Sequence, residues 1–539
     1  MSGLLAAMTL SSLLAASGDA HDQRLLLLLV PKDAAAAVYV ENAAEAVSSP
    51  LGAWTVGHMA GSWSAAAALP AALRGVQVPA VVVVMGDLAA QKGSAGLLVA
   101  LDLGGSAWQP ESFVDERLLP AMDKAAGTRP VVRRDGLLAE IAVTGWSPSC
   151  YWIGRGEQLL LSSDRQVLSA VVEGKWPESK LVLCDEYGAL AEPLGQRGTL
   201  WAYVSLPGFY HLANPVTAED PFLQRMYFLL GVENFRAMAL EAGGLNAGTR
   251  VRVVFRVEDA ARGLLSLLGA AATRSGAIDL LPAATSGLLR MAISDLRASI
   301  GAVNSLVEQI DPAVVKEFDD ERANFKRDVG FDPLDDFAAN IRDEFVIARV
   351  GGAGQAPALV LAAAIDDAAR LADHMAALAG AFEVSWRQRP AGEFMLYEPE
   401  DPQSGFAYAV GRGQLLIAHR AETIETVIAR ATTTTAVTPS HEGFRRVTAG
   451  LPRQTRLLMV APWPDVARRV ASWLNTFLAV DLSAMPLGAE QTSHWVGLAV
   501  NLDAEQRRVV VDVVAAETRP DPQEGSVRGS GDREAPVSP

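Results

Sequence analysis

Cysteine is scarce: Cys150 and Cys184 are the only two in 539 residues. A disulfide-built scaffold is excluded. What stays open is a single bridge, worth about 3–4 kcal/mol by loop entropy, or two separate buried thiols. Two cysteines without a neighbouring histidine also exclude the usual tetrahedral zinc site. Long apolar runs are missing too. Leu25 to Val30 falls far short of the roughly 20 residues that span a bilayer; it ends at Pro31 and suits a buried strand. No later segment reaches spanning length without charges, so the mature chain reads as free of membrane spans. Runs of positive charge are the third absence. The formal net charge is −16 and the pI about 5.0. The densest basic groups, Arg453 to Arg456 and Arg468-Arg469, are short and read as solvated faces. This argues against a polyanionic nucleic acid as partner.

Catalytic signatures are absent as well. The seven histidines (His21, His58, His211, His374, His419, His441 and His494) form no HExxH and no i, i+4 pair that would set two ligands on one helix face. No G-x-S-x-G elbow anchors a hydrolase triad. Val350 to Pro357, "VGGAGQAP", faintly resembles a phosphate loop, but an apolar strand-like run follows it rather than a helix start, so it reads as a hairpin turn. Asp332, Asp335, Asp336, Asp343 and Glu344 make the best candidate cation site, yet they lack EF-hand spacing and read as helix-start acids on a solvated face. No pair of carboxylates is singled out for glycoside hydrolysis. Several of the eleven tryptophans (Trp54, Trp63, Trp108, Trp146, Trp152, Trp176 and Trp201) fall near turns. They can stack on sugars or peptides, or fill seams between modules, which is the favoured reading. No catalytic, cofactor or metal residue is assigned.

What is present is a repeat. "YWIGRGEQLLLSSDRQVLSAVV" from Tyr151 has a relative in "YAVGRGQLLIAHRAETIETVIA" from Tyr408. Each reads as strand, turn, strand, helix. The turns are expected at Arg155-Gly156 and Arg412-Gly413, where glycine supplies the positive φ of a tight hairpin. The helices carry apolar faces, Val167, Leu168, Val171 and Val172 in one and Ile424, Val427 and Ile428 in the other. Strand–helix echoes start at Val30, Leu281 and Leu451, with a fourth at Gly198. A second echo links Val253–Gly269 to Leu361–Gly380, a strand and an acidic pair ahead of Ala-Ala-Arg.

Half the residues are hydrophobic and a fifth are charged, an ordinary globular balance. The length calls for two to four folding units. Residues 1–20 read as a signal peptide, with an apolar stretch from Leu4 to Ala16 and small residues at Gly18 and Ala20, although a basic leader is missing. The expected modules are 21–190 and 281–440, each complete, and 198–280 and 451–516, each partial. A charged helical insert at 302–340 should break or restart at Pro312, and 517–539 reads as a disordered tail.

The Leu-Pro-led strands, the "GFDPLDDFAANIRDEFVIARV" block from Gly330, the Asp-Asp-Ala-Ala-Arg helix start and the hairpin at Tyr408 together resemble large exported bacterial proteins carrying a domain of unknown function. That resemblance implies an extracytoplasmic, non-enzymatic role and brings no catalytic residues with it. The expected fold is α+β, with duplicated sheet-and-helix modules, mostly antiparallel strands, and helices packed on the sheets. The expected role is a structural or interaction protein of a bacterial envelope, periplasmic or secreted, with a protein partner. The alternatives are a carrier of a lipid or other apolar ligand, and an enzyme whose site is assembled from distant residues.

Overall fold

A computed structural model describes residues 26–48, 56, 59–60, 63–85, 96–177, 179–194, 200–206, 234–245, 248–259, 280–282, 285–293, 296–308, 311–351, 358–401, 406–431, 442–452, 454–462 and 494–517. The protein is α+β, with helices beside a large antiparallel sheet. Ten strands lie before residue 258: β1 (Ala36–Val40), β2 (Ala80–Met85), β3 (Gly96–Asp102), β4 (Val131–Asp135), β5 (Leu138–Ala142), β6 (Cys150–Arg155), β7 (Gln158–Ser162), β8 (Leu200–Ser205), β9 (Phe235–Leu245) and β10 (Gly248–Val257). Ten follow: β11 (Thr285–Ile293), β12 (Ile341–Val350), β13 (Ala358–Ile365), β14 (Trp386–Ala391), β15 (Phe394–Pro399), β16 (Ala407–Gly411), β17 (Gln414–Ala418), β18 (Leu457–Pro462), β19 (His494–Asp503) and β20 (Arg508–Glu517).

All twenty share one sheet. From one edge to the other the pairings run β4, β5, β6, β7, β3, β2, β1, β8, β9, β10, then β20, β19, β18, β11, β12, β13, β17, β16, β15, β14, every one antiparallel. At the usual strand spacing the path across the sheet is about 90 Å. Adding ten to each strand number of the first half reproduces the second half read from the opposite edge.

Side-chain alternation divides the sheet into two faces. Face A carries the core around Tyr39, Val81, Leu98, Leu160 and Val254 and the core around Val346, Val360, Leu416, Val460 and Val514. Face B carries the core around Leu73, Val99, Phe113, Leu161 and Leu240 and a smaller one around Ile293, Ala363, Leu415 and Tyr408. Face B of the first half is covered by helical residues 64–73 and 110–126. On face A lie helices α1 (Arg165–Val172) and α2 (Asp185–Ala191). The second half adds α3 (Leu296–Glu308), α4 (Pro312–Val329), α5 (Ala368–Ala381), α6 (Ala421–Ala431) and α7 (Glu442–Gly450).

Several local expectations change. Leu26 to Val30 is a buried turn of helix on face A and not a strand, closed by Leu29 N–H to the Leu26 carbonyl at 3.0 Å and Val30 N–H to the Leu27 carbonyl at 3.1 Å. Leu25 itself lies outside the described residues, as do the segment 1–20 and the tail 518–539. Pro312 begins α4, with the Asp311 carboxylate accepting from the Ala313 N–H, because proline at the first helical position has no N–H to leave orphaned. Residues 350 and 358 are register partners, so "VGGAGQAP" does join two antiparallel strands, though 352–357 lie outside the described residues.

The two Gly-Arg-Gly hairpins use their shared letters in different frames. In the second, Gly411 pairs with Gln414, and the loop is Arg412-Gly413, at φ 52° and 68°. In the first, Arg155 is still in the strand, paired with Gln158, and the loop is Gly156-Glu157, with Gly156 at φ 60°. The extra Glu157 shifts the strand before the turn by one residue. Strands alternate faces residue by residue, so Tyr151 faces the face A core while Tyr408 is buried in the face B core. By position in the ladder, Trp152 is the counterpart of Tyr408. The second echo also dissolves: Val253 lies in β10, whose counterpart by strand order is β20, whereas Leu361 lies in β13, the counterpart of β3.

Candidate functional site

Three clusters of charge invite a functional reading. The first gathers the acidic residues of 332–344. Asp332 caps the helical turn Pro333–Phe337, accepting from the Leu334 and Asp335 N–H groups at 2.9 Å each. Arg322 of α4 reaches back to Asp332 at 2.8 Å and Asp335 at 2.5 Å, and Arg297 of α3 meets Asp335 at 2.8 Å. Asp336 accepts from the Asp332 N–H and pairs with Arg370 of α5 at 2.5 Å. Burial alone would raise the Asp332 carboxyl, but the Arg322 guanidinium and the two N–H groups overcome it and bring it down to about 2. The Asp336 carboxyl also lies below the usual range, chiefly through the Asp332 N–H. These carboxylates clamp the helical insert to α5 through paired arginines. Glu344 points elsewhere, and the Asp343 side chain lies outside the described residues.

The second cluster is buried on face A between β11 and β12. Arg290 donates to Glu344 at 3.1 Å and to the Thr455 carbonyl at 3.3 Å; both charged side chains are at most 5% exposed. By its partners in the ladder, Arg290 stands where Tyr39 stands in the first half. There the space is filled by aromatic rings, with Trp201 stacked on Tyr203 and edge-on to Tyr187.

The third cluster lies where the halves meet. Nine residue pairs join β10 to β20, from Gly248–Ala516 to Arg256–Arg508, and the middle pair is Arg252–Asp512. Asp512 is fully buried and accepts four hydrogen bonds, from Arg250 at 2.7 and 3.0 Å and from Arg252 at 2.8 and 3.1 Å. Arg252 also donates to the Pro193 carbonyl at 2.5 Å, just beyond α2. Burial pushes the Asp512 carboxyl above the ordinary aspartate value, and the Arg252 bond pulls part of that back. Sequence reasoning missed this cluster: its members are some 260 positions apart, and no local pattern joins them.

The remaining candidates separate. Cys150 is buried in the face B core, where burial pushes its thiol up to about 12, and Cys184 packs at the edge of the face A core. The sheet lies between them and both are free thiols. Trp63, Trp152 and Trp201 are buried, and Trp108, Trp146 and Trp176 are half-buried against the cores, so these six pack in the two cores of the first half rather than between modules; Trp54 lies outside the described residues. His374 stacks on Phe331 with ring centroids 4.5 Å apart, and desolvation lowers its pKa. His419 is exposed, His494 begins β19, and His21, His58, His211 and His441 lie outside the described residues. Among the described residues no group of three or more metal-ligating side chains converges, and no helix is long and apolar enough to cross a membrane.

Comparison with family models, with curated proteins and with solved structures finds no match to this chain.

Proposed function

We propose that this chain is a non-enzymatic structural or interaction protein of a bacterial envelope, exported to the periplasm or beyond, with a sheet built from two copies of one ten-strand unit. The strand order carries the reading. Each half runs through the same succession of neighbours, with helical residues after the third and seventh strands in both. The gathered ionisable groups fit a structural role, since in each cluster the carboxylates are paired with arginines and brace neighbouring elements. The N-terminal apolar segment and the resemblance to exported bacterial proteins support the location.

Two measurements test this. Residues 1–30 fused to a phosphatase reporter that is active only outside the cytoplasm should give activity. Native mass spectrometry of the protein from its own host should show a stoichiometric protein partner and no small-molecule mass. A cytoplasmic reporter, or a chain that carries neither partner nor ligand, would contradict the proposal.

One observation favours a carrier of an apolar ligand as the second reading. On face B of the second half, Leu359 is 64% exposed, and Leu361, Leu457 and Met459 are half-buried. Their first-half counterparts Leu97, Val99, Leu200 and Ala202 are all at most 5% exposed. A lipid mass retained in the native spectrum would decide for this reading.

A further inference from the structure

We propose that the β10–β20 seam is a recognition surface between complementary half-chains, and that Arg252 and Asp512 are the residues that set its specificity. The inference rests on the two-copy reading above. A two-fold axis through the middle of the seam exchanges β10 with β20, and with them β9 with β19, β8 with β18 and so on to β4 with β14. The pair on that axis is Arg252–Asp512. Around it, Val251 faces Val513, Val253 faces Val511 and Val254 faces Val510. These contacts are nearly self-complementary, so any two units could adhere through them.

The axial position is different. In an isologous contact between identical units, the residue on the axis meets its own copy. Two first halves joined this way would set Arg252 against Arg252, with two further Arg250 side chains beside them; Glu241, the β9 register partner of each Arg252, belongs to its own half, and β10 brings no carboxylate across the seam. Two second halves would set Asp512 against Asp512, with Val510 on either side and no cation. Either arrangement leaves like charges together in a site where Asp512 is fully buried, and truncated or mismatched buried pairs are strongly disfavoured. Only first half with second half supplies an ion pair across the seam. The apolar rows hold the edges together, and the axial charges choose the partner. Within one chain they favour closure on itself. Between chains they allow exchange of a half only with the opposite half of a second copy.

The test uses full-length chains that all carry Arg250→Val, which gives that position the residue of its counterpart Val510. Three forms are compared with this parent: Arg252→Asp, Asp512→Arg, and both together. Each single change leaves like charges on the axis, so each chain alone should melt below the parent. The charge swap should recover most of the loss. When the two single variants, one isotopically labelled, are refolded together, native mass spectrometry should show mixed dimers in at least about tenfold excess over dimers of either variant alone. Mixed dimers from two chains that fold poorly alone would support the inference as strongly as recovery by the swap. A swapped chain no more stable than the single variants, together with mixed dimers at the statistical ratio, would overturn it. Cysteine cross-links between Val251 and Val513 separate the two levels: if they form and the swap fails, the specificity inference falls; if they do not form, the two-copy reading falls with it.

Discussion

At the residue scale, the buried ion pairs behave differently from the surface ones. Arg290 and Glu344 sit on face A with almost no exposure. Removing one partner strands a charge that the interior cannot solvate. Glu344→Leu should therefore cost about 3–5 kcal/mol in chemical denaturation, while Arg290→Met with Glu344→Leu should lie within about 1–2 kcal/mol of the parent, as apolar replacement of a whole buried pair often does. Asp332 gives a pH signature. Its folded pKa of about 2 is below the unfolded aspartate value, so its contribution is present above about pH 4 and is lost as pH falls towards 2. On the order of 2 kcal/mol should disappear in that window, and Arg322→Ala should flatten this part of the stability–pH curve. His374 adds a second slope of the same sign. Its pKa is lowered by desolvation, so stability is full above the ordinary histidine value and declines as pH drops through it.

At the scale of elements, turns and caps account for most of what the sequence reveals. Gly156 adopts φ 60° in its two-residue loop; Gly156→Ala should cost about 1–2 kcal/mol in thermal or denaturant unfolding, while Glu157→Ala should be near neutral. Asp367 caps α5 by accepting from the Ala369 and Arg370 N–H groups, and Leu371 of that helix is fully buried. Asp367→Ala should cost about 1 kcal/mol. The helix α4 is another case: none of its eighteen residues is buried, so Val314→Ala should change stability by less than about 0.5 kcal/mol. The hairpins, the acidic helix start at Asp366-Asp367 and the restart at Pro312 were legible because each depends on residues a few positions apart. The frame of the first Gly-Arg-Gly was not, because one inserted residue, Glu157, moves a strand to its other face without changing its composition. Asp332, Asp335 and Asp336 were legible as helix-start acids, but their partners Arg297, Arg322 and Arg370 come from three different helices, and the expected solvated face is wrong for Asp332, which is buried, and for Glu344, which is buried in β12. The β10–β20 pairing, which organises the molecule, joins strands that share only the short V-x-V-V of Val251–Val254 and Val511–Val514, too common a strand pattern to single out a partner.

At the scale of the whole molecule, the sheet of twenty strands has two free edges among the described residues, which must not pair with other chains. The edge strand β4 is exposed along its length and carries Arg133, Arg134 and Asp135; the other, β14, carries Arg387, Arg389 and Pro390. Adjacent like charges and a proline discourage added strands. Arg133→Thr with Arg134→Thr should therefore produce concentration-dependent association in sedimentation velocity, where the parent sediments unchanged. The centre of the sheet does what its edges avoid, joining two free strands through valine rows and one axial ion pair. The most direct measurement of the account is disulfide mapping across that centre. Val251→Cys with Val513→Cys, and separately Val253→Cys with Val511→Cys, place cysteines at register partners, where side chains on opposite strands come within bridging distance. Both pairs are predicted to cross-link within one chain and to comparable extent, as a two-fold seam requires. Linkage of Val253→Cys to a cysteine at Val513 in preference to Val511, or cross-links in one pair only, would contradict it.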